Sequence, residues 1–364
     1  MRIVGVIAAL VVALILGGML FIEVQKRETN VTLNKTKVVM FMNGDRNDHS
    51  WGESHFNGME VAAKELNLNV IYVENAAGDS VTESDMEHAI RSGAKVIVCN
   101  SFGLGDVALR VAARHPDVKF FHASGIKSSN NLSTFFGRIY QMRYLSGIVA
   151  GLTTKTGEIG YVAAFDISEV NRGINAFTLG VRKVNPDAKV FVRWSKSWVD
   201  SAATAQVTRE LLDSHSIDVI TAHSDVLSAY DVAQEKKVWI IGYNLDNSAR
   251  YPDMFLTAPI WKWDRFYVPR ILEVLQNKFV SNQYWLGVES GMIGLAPMFH
   301  NVSEAAQRIV SSEMRRLESG EFDVFFGPIE DNNGVVRVEA GESMTDVDML
   351  NNFDWYVKGV VNEQ

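Results

Sequence analysis

From Lys37 onward, short apolar runs rich in β-branched residues alternate with stretches of helical periodicity. The runs are VVMFM, NVIYV, KVIVC and VKFFHA, then EIGYVAA, KVFVRW, IDVITA and KVWIIG. Segments such as TESDMEHAIRSG, DVALRVAARHP and AATAQVTRELLDSHS separate them. Near-continuous apolar strands between helices predict parallel sheets covered on both faces, hence an α/β fold. Four such units precede GLTTKTGE and four follow it, which predicts two similar lobes with a crossover near Gly151–Gly157. Near the end of the chain, Asn333-Gly334 between two apolar runs predicts a hairpin.

The first thirty residues differ from everything after them. Ile3–Ile22 is twenty residues without a charge, enough at 1.5 Å per residue to cross a hydrocarbon core of about 30 Å. A secretory signal has a shorter apolar core and a small-residue cleavage site, and no A-x-A pattern precedes EVQKRE. Residues 1–30 are therefore expected to form an uncleaved membrane anchor or signal, with cleavage at an atypical site as the alternative. Arg2 on one side and Lys26 and Arg27 on the other leave its orientation open by charge.

Composition narrows the function. At 364 residues the chain exceeds one ordinary core. A formal charge of −8 with no basic block argues against a nucleic-acid partner and fits a small neutral ligand. Cys99 is the only cysteine, which excludes an internal disulfide and a cysteine-built metal cluster; its place in KVIVC predicts a small core residue.

In open parallel sheets ligands bind beyond the carboxyl ends of the strands. The residues there are NGDRNDHSW, NSFG, AFD, WSKSW, AHSD and GYNLD, with WKWD after MFLTAPI. Aromatic planes together with amides and carboxylates suit a flat heteroaromatic ligand, stacked on its faces and read at its rim. Each residue also has a plainer role. Asp48 is placed to cap the helix that opens with SWGE. In that helix Phe56, Met59, Ala63 and Leu66 recur as the buried stripe, with Trp51 about 140° away from Phe56. Of Trp194 and Trp198, which straddle SKS, one is expected to be structural. His223 beside Asp225 is more often a hydrogen-bonded structural pair than an acid/base pair. His49 and His55 lack a third ligand at metal-like spacing and are expected at the surface; no metal or cofactor is expected.

Signatures of catalysis are absent: no G-x-S-x-G, no H-E-x-x-H, no G-x-x-x-x-G-K-[ST] and no kinase set. FGLGD follows a strand but lacks the third glycine of a dinucleotide fingerprint.

The stretches DHSWGESHFNGMEVA, HPDVKFFHASG, FGRIYQMRYLSGIVAG, TGEIGYVAAF, NAFTLGVRKVNPDAKV, VWIIGYNLDN and LTAPIWKWD occur in that order. In them the chain resembles the basic membrane protein family of ABC-transporter substrate-binding proteins, relatives of the purine-nucleoside receptors. FFGPIEDNNGVVRVEAGESMTD and WYVKGVV resemble the branch thought to bind purine bases. The resemblance implies a type I periplasmic-binding-protein fold, two Rossmann-like lobes joined by crossover strands, and a body outside the cytoplasm that serves a membrane permease. On it, lobe 1 is expected over 36–154 plus about 262–297 and lobe 2 over 155–261 plus about 298–330, with a tail over 331–364. It also implies that Asp48 and Trp51 are the acidic and stacking groups over a base, that Asn100 and Phe102 line the opposite wall, and that Asn244 and Asp246 lie in the ligand loop. Tyr140 and Trp261 stand where the nucleoside receptors carry charged groups for ribose hydroxyls. Bulky rings there would leave those hydroxyls unpaired at about 1–3 kcal/mol for each buried group, which favours a free base such as adenine over a nucleoside. Trp198, His223 and Asp225 complete the expected ligand-binding set of a monomeric, non-enzymatic receptor. Two other readings stay open, a tethered sensor that signals to a partner protein and a nucleoside-processing enzyme using His223 and Asp225.

Overall fold

The structure, a computed structural model, describes residues 35–363. The expected anchor lies outside the described residues, among which no helix is long and apolar enough to cross a membrane. The first lobe alternates β1 (Lys37–Phe41), α1 (Trp51–Glu65), β2 (Asn69–Val73), α2 (Ser80–Arg91), β3 (Val96–Cys99), α3 (Gly105–Arg114), β4 (Lys119–Ala123) and β5 (Leu132–Gly137). It closes with α4 (Tyr140–Thr153), and the second lobe repeats the scheme: β6 (Glu158–Ala163), α5 (Ser168–Val184), β7 (Lys189–Trp194), α6 (Ser201–Ser214), β8 (Val219–His223), α7 (Ser228–Glu235), β9 (Trp239–Ile241) and β10 (Phe255–Thr257). The chain then runs through β11 (Pro259–Trp261), α8 (Asp264–Leu275), β12 (Gln283–Leu286), β13 (Ile293–Leu295), α9 (Glu304–Glu318), β14 (Ile329–Glu330), β15 (Val336–Val338), α10 (Asp346–Asn351) and β16 (Val360–Asn362).

The two sheets share the order of their first five strands and add the sixth at opposite edges. One reads β12-β5-β4-β3-β1-β2 and the other β10-β9-β8-β6-β7-β16. Every pairing in both is parallel. All eight apolar runs form strands, and each lobe changes direction at its first strand, with β1 between β2 and β3 and β6 between β7 and β8. The middle strands are dry on both faces: Val96–Cys99 and Val219–His223 are buried throughout. Burial pushes the Cys99 thiol well above its ordinary pKa, so it behaves as a core hydrophobe. Each fully buried Phe, such as Phe41, Phe120 or Phe177, stabilises the core by about 1.5–3 kcal/mol.

Between the lobes, β11 and β13 form a two-stranded antiparallel ribbon, and α4 lies directly against α5. A Cβ on Gly147 would come within 2.1 Å of the Phe177 carbonyl oxygen, and one on Gly180 within 1.9 Å of that of Tyr144. Only glycine allows two backbones this close. The expected hairpin forms as β14 and β15, with Gly334 at φ 76°.

Beyond the hairpin, β16 carries the end of the 331–364 segment into the second sheet, Val360 opposite Val190. Glu363 fastens it, accepting from Arg193 Nε at 2.7 Å and facing His215 Nε2 at 2.6 Å. Burial alone would raise the Glu363 pKa, but these two partners outweigh it and hold it below the ordinary carboxylate value. A depressed pKa contributes stability that is present above the unfolded value and is lost as pH falls through the folded one. Glu363→Gln is therefore expected to cost about 1 kcal/mol at pH 7 and to cost little near pH 3. Thermal melts of both proteins at the two pH values check this, and an equal loss at both would remove the carboxylate from the account.

Candidate functional site

Residues at the carboxyl ends of the strands in both sheets line one cavity of about 530 Å³, within the usual range for small-ligand sites. Asn43, Trp51, Phe102 and Phe136 come from the first lobe; Glu169, Arg172, Trp198, His223, Asp225 and Tyr243 come from the second. This is where the switch from one strand order to the other leaves a crevice.

Trp51 opens α1 and is 8% exposed, on the buried stripe of the helix. The stripe runs Trp51, His55, Met59 and Ala62, rotated from the Phe56–Leu66 register that apolar periodicity indicates. The rotation comes from polar residues that find partners inside. His55, expected at the surface, is fully buried: its Nδ1 lies 2.5 Å from the Tyr267 hydroxyl and its ring stacks on Trp263 at 4.2 Å. Ser54 accepts from Trp263 Nε1 at 3.0 Å. His49 does lie at the surface, paired with Glu53. The Trp51 indole donates to the Asn100 carbonyl at 2.9 Å and meets Trp261 and Trp263 edge-on at 5.7 and 5.5 Å. The ring is therefore fixed from behind and below, with its remaining face on the cavity.

Of the expected site residues, Trp51, Phe102, Trp198, His223 and Asp225 line the cavity, and Asp48, Asn100, Tyr140, Asn244, Asp246 and Trp261 stand outside its wall. Asp48 caps α1, its carboxylate accepting from the backbone N–H groups of Ser50, Gly52 and Glu53 at 2.7–3.0 Å. Asn100 is buried and accepts from Asn43 N, and its Nδ2 has no partner among the described residues. Asn244 is a buried bridge that donates to Ser50 Oγ and accepts from Trp261 Nε1, both at 2.9 Å. Trp261 forms the second layer behind Trp51, stacked on Trp263 at 4.4 Å. Asp246 is exposed and closes a local turn through Ser248 N. Tyr140 packs on Trp285 and Phe325. Neither Tyr140 nor Trp261 narrows the cavity, so their bulk gives no reason to favour a free base over a nucleoside. Trp194 is the structural member of its pair, donating to Asn362 Oδ1 at 2.7 Å.

The acids of the cavity have few partners. Among the described residues the Asp225 carboxylate has one long contact, from Asn244 Nδ2 at 3.4 Å. Burial first, then the charges of Asp48 and Glu169, push its pKa well above the ordinary carboxylate value. Glu169 is raised by burial against the pull of Arg172, and Arg172 is lowered by burial against the pull of Glu169. His223 faces the Tyr161 hydroxyl through Nδ1 at 3.2 Å. Burial, reinforced by Arg143 and Arg172, pushes its pKa far below the usual histidine value and keeps the ring neutral. Arg143 reaches from α4 in the first lobe into the second, donating to Thr221 Oγ1 at 3.1 Å and the Ala222 carbonyl at 2.9 Å, with its guanidinium 3.7 Å from the Tyr243 ring centre. The buried Asp225 and the half-buried Glu169, beside aromatic walls, are placed to receive N–H groups from a ligand. Sequence reasoning missed Glu169, Arg172, Phe136 and Tyr243. Glu169 and Arg172 lie one turn apart at the start of α5, just past the AFD tip, a spacing that places both on one face of the helix.

A substrate-binding fold with its site between two lobes has known counterparts. Residues 35–319 match the family described as ABC transporter substrate-binding protein PnrA-like. This chain belongs to that family. A purine-binding protein of Brucella abortus is 34% identical over 332 residues, covering 90% of this chain and 93% of its own length. A Haloferax volcanii protein with a provisional glucose-binding name is 32% identical over 87% of this chain and 78% of its own. Among solved structures, an ABC transporter solute-binding protein from Aeropyrum pernix superposes with a TM-score of 0.70 at 19% identity, over 83% of this chain and 93% of that one, and so shares the fold. The family and these relatives are substrate-binding proteins, not enzymes, which sets aside the nucleoside-processing use of His223 and Asp225. Among the described residues no cluster of His, Cys, Asp and Glu could hold a metal ion.

Proposed function

We propose that this chain is the extracytoplasmic solute-binding component of an ABC importer, capturing a purine base, adenine-like, or its nucleoside between the lobes and delivering it to a membrane permease. The observation that carries this reading is the cavity itself: aromatic rings from both lobes, Trp51 and Phe136 on one side and Trp198 and Tyr243 on the other, with Asp225 and Glu169, which are short of hydrogen-bond donors among the described residues. A purine offers two flat faces to the rings and N–H donors to the acids. The purine-binding relative supports the same class of ligand. The glucose-binding name of a second relative makes the sugar the natural competing ligand. Lobe closure over the solute would present the face that the permease reads, and the apolar segment 3–22 would keep the receptor at the membrane.

Calorimetry of the purified chain, freed of bound solute, tests the reading against adenine, guanine, hypoxanthine, xanthine, their nucleosides and glucose. Binding of one or more purines is expected, with a stabilisation of about 2.7 kcal/mol at one hundred times the dissociation constant. Binding of glucose with silence from every purine would overturn it.

A further inference from the structure

The family match ends at residue 319, yet two residues of the cavity wall, Leu350 and Asn351, come from α10, well beyond it. Resting on the purine-site reading above, we infer that the segment Thr345–Val357 is a specificity-determining wall of the cavity, in which Leu350 and Asn351 contact the part of the solute that projects beyond the base.

The segment is built into the site rather than laid over it. Arg172, itself a cavity residue, donates to the Met349 carbonyl at 2.6 Å. Asn171 donates to the Phe353 carbonyl at 3.0 Å. Asn175 makes two bonds, donating to the Trp355 carbonyl at 2.8 Å and accepting from Val357 N at 3.0 Å. These three side chains of α5 are nearly inaccessible to solvent, and polar groups buried so deeply are held to one arrangement by the cost of leaving them unpaired. The strap is therefore positioned by the helix that also presents Glu169. At its other end Asp346 pairs with Arg138 Nη2 of the first lobe at 2.6 Å, and the Arg138 guanidinium lies 4.1 Å from the Trp285 ring centre. The strap thus touches both lobes beside the cavity. At the wall, Leu350 offers apolar surface and is half-buried. Asn351 is exposed and donates through Nδ2 to the Val347 carbonyl, which leaves its Oδ1 without a partner among the described residues. One apolar side chain beside one amide acceptor can discriminate a sugar-bearing ligand from a bare base, because the sugar carries both a carbon skeleton and hydroxyl donors.

Leu350→Ala and Asn351→Ala in the full chain test this, with adenine and adenosine titrated into each variant and the parent. Both side chains retain solvent contact, so the variants are expected to melt near the parent. The ratio of the two dissociation constants is expected to change by about tenfold in at least one of them. A merely structural role for the strap would weaken both ligands by the same factor and leave that ratio where it was, which would overturn the inference. Parent-like affinities for both ligands would also overturn it while leaving the purine reading intact. A parent that binds neither adenine nor adenosine would overturn the inference, whereas the purine reading falls only with silence from every purine in the panel above.

Discussion

Trp51→Ala is expected to lower stability by about 3–5 kcal/mol and to abolish solute binding that calorimetry can detect. The indole closes one wall of the cavity and at the same time fills the space in front of two other tryptophans and His55. Removing it opens a void that the surrounding rings cannot collapse into, since Trp261 is tied to Asn244 and Trp263 to Ser54. The Asn100 carbonyl also loses its donor from the indole, a further cost for a buried acceptor. Trp51→Phe separates the two effects. It keeps most of the ring stacking and loses the indole donor, so it is expected to bind, weakened, and to melt between the parent and the alanine variant. Trp51→Ala melting with the parent would show that the indole is not structural; parent-like affinity in that variant would place the ligand elsewhere.

Asp225→Asn is expected to move stability and binding in opposite directions. The carboxyl is buried, and its pKa is raised by that burial and by the neighbouring Asp48 and Glu169 charges. A group whose folded pKa is raised in this way holds the folded state best below its unfolded pKa, and the protein loses stability as pH rises toward the folded value. An amide does not titrate, so the variant is expected to melt higher than the parent at pH 7 and to converge with it at about pH 3. Its affinity for a purine is expected to fall by about tenfold or more, because an acceptor that can carry a charge is replaced by a neutral amide. Melting curves at both pH values and calorimetry at pH 7 read the two effects independently. A variant that binds as tightly as the parent would remove Asp225 from the set of ligand-contacting groups, whatever its stability.

Much of the fold is legible in the sequence, because buried parallel strands need uninterrupted apolar runs and eight of them are plain. Among the strands that escape notice are β5 and β12, whose LSTFFG and QYWL mix polar and aromatic residues. They lie next to each other at one margin of the first sheet. The site is legible only as a set of loops. The rule that ligands bind beyond strand ends finds Trp51, Phe102, Trp198, His223 and Asp225. It does not say which tip side chains turn inward. Asp48 is taken by the amides of its own helix, and Asn244 by Ser50 and Trp261 from elements distant in sequence. Leu350 and Asn351 carry no signal at all in a linear reading. They enter the site because three polar residues of α5 hold a distant stretch of backbone against it.

The glycine contact between α4 and α5 limits how the cleft can work. It couples the last helix of one lobe to the first helix of the other, backbone against backbone, and the Gly180 end of it lies about 16 Å along α5 from Glu169 at the cavity. Any motion that kept this contact shut could not slide the lobes past each other or draw them apart evenly. It would have to be a rotation about the glycines, with displacement least there and growing with distance along the helix, so that a modest turn at Gly180 would be a wider one at the aromatic walls. A lever of that kind would open at the aromatic walls while its short arm, at the glycines, stayed packed.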